Sequence, residues 1–262
     1  MLSKQKIKIV VSLKNKKFRD ELGLFVAEGE KNVTDLARKF SCEMLFATQK
    51  WLKNNQHHLP ILGKSTAIQK ELQIFEVKTT DELKPVSFLT TPQDVVAVFQ
   101  KGENRQINAE KVKHELSLAL DCVQDPGNFG TIIRIADWFG ISNIFCSLDT
   151  ADVYNPKVVQ ATMGALANVN VHYIDLQQFI NKSKESEMPV FGTFLDGKNI
   201  YQQKLPKNGI IVLGNEGNGI SAEIENLITE KLFIPNFSTK NQTSESLNVA
   251  VAAAIVCSEF RR

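Results

Sequence analysis

The sequence predicts an α/β protein in two parts: a small N-terminal α/β domain over residues 1–106, and a larger domain over 107–262 built on a parallel sheet. Three observations predict it. Short apolar runs alternate with segments of helical spacing along the second part of the chain, the pattern of strands covered on both faces by helices. The polar, glycine-containing stretch Lys101–Asn108 interrupts the pattern straight after the strand-like run Val95–Phe99, as a domain boundary does. A chain of 262 residues is long enough for two modest cores.

In chain order, Leu24–Ala27 has the composition of a strand. Residues 30–40 place Val33, Leu36, Ala37 and Phe40 on one helical face. Met44–Ala47, Ile74–Val77 and Val95–Phe99 complete the strands of the first domain. Beyond the boundary, strands are expected at Leu116–Leu120, Asn143–Cys146, Val169–Tyr173, Pro189–Thr193, Gly209–Leu213 and Lys231–Ile234. Helices are expected at Gly127–Trp138, Pro156–Met163, Leu176–Lys182, Ala222–Ile228 and Leu247–Phe260. The last of these is small or apolar almost all round, which predicts a buried helix. In such a sheet, ligand loops lie beyond the carboxyl ends of the strands.

Composition narrows the chemistry. With 43% hydrophobic and 23% charged residues the chain is ordinary for a globular protein. No apolar run reaches the length of a membrane span, and the lysine-rich start lacks the apolar core of a secretory signal. Cys42, Cys122, Cys146 and Cys257 have no metal-ligand spacing; they read as reduced core thiols of a cytoplasmic protein without a metal site. Trp51 and Trp138 read as core or edge packing residues, the alternative being platforms on which unpaired bases stack. The net charge is only +2, but the first twenty residues hold Lys4, Lys6, Lys8, Lys14, Lys16, Lys17 and Arg19 against Asp20 alone. Such a run is either a solvated helix face or a surface for nucleic-acid phosphates.

Three segments carry the chemistry. Leu213–Ser221 (Leu-Gly-Asn-Glu-Gly-Asn-Gly-Ile-Ser) follows an apolar strand and holds three glycines around Glu216. Glycine permits positive φ and a close approach of backbone to ligand. The segment lacks the lysine of a P-loop and the spacing of a dinucleotide fold. Asp121–Asp137 runs from a strand through Pro126-Gly127 into a helix, with Asn128 a candidate cap and Arg134 six residues on; a helix start beside an arginine attracts phosphate or ribose. Ser246-Leu247-Asn248 opens the final helix.

Taken together, Asn128-x-Gly130-x-x-x-Arg134, Gly214-Asn215-Glu216-Gly217-x-Gly219 and Ser246-Leu247-Asn248 resemble the three motifs of the SpoU (TrmH) family of SPOUT-class RNA methyltransferases. The resemblance covers roughly residues 116–260. The N-terminal part, with Phe25-Val26-Ala27-Glu28-Gly29, is similar to the substrate-binding domain many members carry, itself like a ribosomal-protein RNA-binding fold. The resemblance implies a deep trefoil knot at the C-terminus, S-adenosylmethionine bound in the knot, a homodimer, and methyl transfer to a ribose 2′-hydroxyl of rRNA or tRNA. It implies that Arg134 approaches the target ribose and phosphate, with Asn128 and Glu216 holding the arrangement. A guanidinium is too weak an acid to serve as a base unaided, so either an RNA phosphate takes part or Arg134 positions the hydroxyl. The implied cofactor contacts are Thr193, Leu195, Gly197, Leu213, Gly214, Asn215, Gly217, Ile234, Ser246, Leu247 and Asn248. The candidate RNA contacts are Lys14, Lys16, Lys17 and Arg19 of the basic run, with Arg134. One departure from the family is the longer, glycine-free loop Phe237–Glu245, which bears on the pocket rim. The alternatives are an RNA-binding protein of the same fold without activity, and a methyltransferase acting on a base nitrogen.

Overall fold

The computed structural model describes residues 2–62, 72–102, 107–238 and 246–262, and only the backbone of Ala109 and Lys111. Most of the Phe237–Glu245 loop, from residue 239 on, lies outside the described residues. In chain order the elements are α1 (Lys4–Ser12), α2 (Lys16–Leu22), β1 (Leu24–Glu28), α3 (Glu30–Leu36), β2 (Cys42–Thr48), α4 (Gln49–Asn54), α5 (Leu59–Leu62), β3 (Gln73–Val77) and β4 (Val95–Gln100). They continue with α6 (Ala109–His114), β5 (Leu116–Leu120), α7 (Pro126–Trp138), β6 (Asn143–Cys146), α8 (Pro156–Thr162), β7 (Asn170–Tyr173) and α9 (Leu176–Glu185). The last are β8 (Val190–Asn199), β9 (Gly209–Leu213), α10 (Ala222–Glu225), β10 (Glu230–Phe233) and α11 (Val249–Arg261).

The chain folds as two compact units: Met1–Glu103 with Asp152–Asn168, and Asn104–Ala151 with Val169–Arg262. The first unit is a mixed sheet in the order β1-β4-β2-β3, antiparallel except for the β2–β3 pair. β1 is buried along its length, whereas β3, at the edge, is mostly exposed. Val10 and Leu13 anchor the start of the chain in a core with Val26, Phe46, Leu83 and Val98. The segment around α8 joins this unit because its apolar side chains need that core. Val158 and Val159 are buried, and the Tyr154 ring lies 4.8 Å from Phe25.

The second unit is a six-stranded parallel sheet in the order β10-β8-β9-β5-β6-β7. β5 and β9 are buried throughout, as expected of central parallel strands sandwiched between helices. Successive connections run outward from β5 through β6 to β7, and then cross to β8 and β9 on the other side. The direction of winding therefore reverses between β5 and β9, the kind of point where open α/β sheets bind ligands.

The last helix departs from expectation. Ala250, Ala253, Val256, Cys257 and Phe260 are buried, but Val251 is 49% exposed, so α11 buries one stripe and is not enclosed all round. Trp51 is buried, as a packing residue should be, but Trp138 at the end of α7 is 84% exposed and packs into no core.

Candidate active site

The β5–β9 pairing aligns Leu120 with Leu213, so the loops leaving these two strands start side by side. β8 pairs with β9 up to Gly192–Val212, which brings Thr193 to the same edge. Along β10 the partner of Lys231 is Gly192 and that of Leu232 is Lys198. Residues Thr193–Gly197 thus form an irregular stretch of β8 where its register with β10 shifts at this edge. At Gly197 a Cβ would meet the Leu232 carbonyl carbon at 2.6 Å, which is why glycine closes that stretch.

The glycine loop is built by its own side chains. Asn215 and Gly219 exchange backbone hydrogen bonds of 2.8 and 3.0 Å. The Asn215 Oδ1 accepts from the amides of Gly217 and Asn218, and its Nδ2 donates to the Cys122 carbonyl at 2.7 Å. A Cβ on Gly214 would sit 2.2 Å from the Gly219 carbonyl carbon. Leu213, fully buried, uses its carbonyl to accept from the Asp121 amide. Among the predicted cofactor residues, Leu213, Gly214 and Asn215 therefore shape the loop with the groups they own. Leu195, Gly217, Ser246 and Leu247 are exposed, and Thr193, Gly197 and Ile234 are half-buried.

The sequence makes Asn128 a helix cap; the structure gives that role to Asp125, whose side chain accepts from the Asn128 amide at 2.8 Å, with Pro126 in the first turn. An aspartate followed by proline at a helix start is a readable signal. Freed from capping, the Asn128 side chain links the other motifs. Its Nδ2 donates to Glu216 Oε1 at 3.1 Å, and its Oδ1 accepts from Asn248 Nδ2 at 2.9 Å. Asn248 in turn caps α11 by accepting from the amides of Ala250 and Val251. One hydrogen-bonded chain thus joins a residue from each of the three sequence motifs.

Glu216 is held from several sides. The amides of Gln124 and Asp125 donate to its two oxygens at 3.2 and 3.1 Å. Partial burial pushes its pKa up, but the donors from Asn128 and from the amides of Glu216, Gln124 and Asp125 outweigh burial and leave it below the ordinary glutamate value. The carboxylate is therefore a fixed anion that clamps two loops together. Sequence reasoning missed a second clamp: Asp121, 7% exposed, accepts from the Ser221 amide at 2.7 Å. Ser221 itself makes no side-chain cap to α10.

Arg134 lies on α7 about 9 Å along the axis from Asn128, at the helical rise per residue. It is exposed and makes no ion pair or hydrogen bond among the described residues. With Gly127, Thr131 and Trp138 it forms one exposed stripe at helical spacing. In the first unit, Lys14, Lys16 and Lys17 are exposed. Arg19 is a correction: it is 2% exposed, its Nε and Nη2 donate to Asp152 Oδ2, and its Nη1 donates to the carbonyls of Leu13 and Lys14. A guanidinium so engaged has no face left for phosphate.

The sequence pattern of the SpoU rRNA Methylase family matches residues 115–258. The chain belongs to the SpoU rRNA methylase family. The MRM3-like substrate binding domain matches residues 4–97 of this SpoU methylase. Among curated relatives, the 23S rRNA (guanosine(2553)-2′-O)-methyltransferase RlmP of Bacillus subtilis is 30% identical over 98% of this chain and 96% of its own length. The 23S rRNA (guanosine-2′-O-)-methyltransferase RlmB of Neisseria meningitidis is 31% identical over 70% of the chain and 74% of its own. Among solved structures, a putative RNA methyltransferase of the TrmH family from Porphyromonas gingivalis superposes with a TM-score of 0.84 at 40% identity, covering 100% of this chain and 98% of that one. An AdoMet-bound rRNA methyltransferase from Sinorhizobium meliloti gives 0.81 at 26% identity, covering 100% and 95%. The two-unit α/β fold with its parallel sheet is the fold of these methyltransferases.

Proposed function

We propose that this SpoU methylase transfers a methyl group from S-adenosylmethionine to the ribose 2′-hydroxyl of a guanosine in large-subunit ribosomal RNA. The observation that carries the reading is the hydrogen-bonded chain Glu216–Asn128–Asn248 at the carboxyl edge of the sheet. The nucleotide and the RNA follow from the RlmP and RlmB relatives, the first similar over almost its whole length.

The loop edge suits the cofactor. Leu195 and Leu247 are 71% and 49% exposed, apolar side chains beside loops whose backbone is free of side-chain bulk at Gly197 and Gly217. Thr193, Leu195, Gly197, Leu213, Gly214, Asn215, Gly217, Ile234, Ser246, Leu247 and Asn248 would hold the cofactor, several through backbone alone. When bound, it supplies a sulfonium methyl, so the protein's task is to align the attacking oxygen. Arg134, whose guanidinium has no partner among the described residues, orients the target ribose through its phosphate and hydroxyl. Glu216 and Asn128 keep the surrounding loops fixed and offer Arg134 a stable platform.

Three further features belong to the proposal. The exposed indole of Trp138 and the exposed Val251 lie on α7 and α11, helices that pack on each other; an apolar face of this kind suits a homodimer. The hydrogen bond from Asn248, at the start of α11, to Asn128 in the first turn of α7 supports a deep trefoil knot. Four free thiols, three buried and Cys122 half-buried, fit a cytoplasmic site of action, where Lys14, Lys16 and Lys17 contact RNA phosphates.

The deciding experiment is transfer of labelled methyl to 23S rRNA with nucleoside mass spectrometry. Label is expected in 2′-O-methylguanosine. Arg134→Ala is expected to lower turnover by at least ~100-fold, the scale set by losing a positioning contact, with cofactor binding intact by calorimetry. Label on a base nitrogen would overturn the ribose assignment, and full turnover by the variant would remove the role of Arg134.

A further inference from the structure

Helix α2 is inside out. Its one buried side chain is a cation, Arg19, and its large apolar residues face solvent: Phe18 is 39% and Leu22 48% exposed. Phe18 and Leu22 are four residues apart, so they share one face. A surface helix normally buries its apolar stripe and exposes its charges. Here the burial of Arg19 is offset by its ion pair with Asp152 at 2.6 Å and by the Leu13 and Lys14 carbonyls. Those carbonyl bonds, with Leu13 fully buried, also fix the turn that carries Lys14, and Asn15 fixes the start of the helix by accepting from the Lys17 amide.

The surroundings of the apolar pair are basic. Lys14, Lys16 and Lys17 are exposed beside it. The acids of the helix are partly spent: Asp20 accepts from Lys101 at 2.7 Å, and Glu21 lies 3.8 Å from Lys17. On α1, Lys4, Lys8 and Val11 are exposed at helical spacing. A flat apolar side chain held rigidly among lysines matches one kind of ligand: bases that are unstacked and can lie on a ring, joined by phosphates that meet the lysines. A duplex hides its bases and would use the lysines alone.

We propose that the outer face of α2 is a docking surface for unpaired RNA, with Phe18 as a stacking platform, Leu22 as its apolar floor and Lys14, Lys16 and Lys17 as phosphate contacts. The assignment rests on the reading of this chain as an RNA methyltransferase and narrows what its first unit recognises to a single-stranded or looped segment. It also gives the buried Arg19 a purpose, namely to hold the platform rather than to touch the RNA.

The test is fluorescence anisotropy, without cofactor, on full-length protein with a labelled oligouridine and with an RNA duplex of equal length. Phe18→Ala should weaken oligouridine binding about tenfold, the scale of one lost base stack, with an unchanged salt dependence. Phe18→Tyr should restore it. Lys16→Gln should reduce the slope of log K against log salt by about 0.7, the value for one phosphate contact on a single strand. Duplex binding should not respond to Phe18→Ala. Equal oligouridine binding by Phe18→Ala and wild type would overturn the proposal, as would equal weakening on both RNAs or no RNA binding by wild type. Because Phe18 is exposed, the variant should keep the wild-type melting temperature, and Phe18→Tyr guards against misfolding. Wild-type oligouridine binding without methyl transfer to any RNA would sink the methyltransferase reading and leave this surface standing.

Discussion

In the second unit, the Glu216 carboxylate sits in an exposed glycine loop and is fixed by two amides of the β5–α7 loop and by the Asn128 side chain in the first turn of α7. In the first unit, the Arg19 guanidinium is almost wholly buried and is fixed by one carboxylate and two carbonyls. Both charges hold chain segments in place, and of the two only Arg19 is buried away from any ligand. The difference lies in what supports them. Glu216 depends on many weak, partly solvated bonds within one loop cluster; Arg19 depends on a desolvated ion pair between distant segments of sequence. The first arrangement is adaptable at small cost, whereas the second fails as a whole when either partner is lost.

The largest effect should come from the ion pair. Arg19→Met leaves Asp152 without its cation in a nearly dry site, and urea denaturation should show a loss of ~3–5 kcal/mol, the cost of breaking a buried pair from one side. The double variant Arg19→Met/Asp152→Leu should recover much of that loss, because an apolar pair carries no desolvation cost. If Arg19→Met were as stable as wild type, the contrast between the two regions would collapse.

A middle effect separates two glycines of one loop. Gly214→Ala drives a Cβ to 2.2 Å from the Gly219 carbonyl carbon and 2.3 Å from the Ile220 amide nitrogen; backbone on both sides must move, at ~1–3 kcal/mol by the usual cost of overpacking. At Gly217 the nearest atom is the Asn215 Oδ1 at 3.6 Å, so Gly217→Ala should melt close to wild type. Equal melting of the two variants would show that the loop yields wherever it is pressed.

These particulars explain what the sequence made legible. The parallel sheet of the second unit is written in apolar runs such as Leu116–Leu120 and Gly209–Leu213, because strands buried on both faces need no alternation. The site was legible where chemistry and motif coincide, at Asn128, Glu216 and Asn248. Arg19 was misassigned because a run of cations looks alike along a chain; its partner Asp152 is far away in sequence, and nothing local marks the pairing. The cap at Asp125 is written in the Asp-Pro pair, but Asn128 three residues on is an equally good capping type, and only the fold decides between them. The exposure of Trp138 and Val251 reverses a hydropathy argument that assumes a lone chain, whereas apolar side chains can equally be left for a second copy.

The smallest effect sets Glu216 against Glu28, the buried carboxylate at the end of β1. Glu28 is 4% exposed and accepts from Ser87 Oγ and from the Phe88 amide, each at 2.6 Å. Burial still wins over these bonds, and its pKa lies above the ordinary glutamate value of 4.5. Glu216 lies below that value, because its donors win over a milder burial. Linkage gives the two opposite signatures. For Glu216 the folded state binds fewer protons than the unfolded one, so its contribution is present above 4.5 and is lost as pH falls through the folded value beneath it. For Glu28 the folded state binds more protons, so its contribution is full below 4.5 and is lost as pH rises through the folded value above it. Melting temperatures of wild type, Glu216→Gln and Glu28→Gln across the acid range should therefore diverge in opposite senses. On acidification, wild type should lose ground relative to Glu216→Gln and gain it relative to Glu28→Gln. Parallel curves for the two variants would mean that exposure decides neither charge, and that hydrogen bonds, present at both glutamates, fail to separate a clamp held in water from one held in a core.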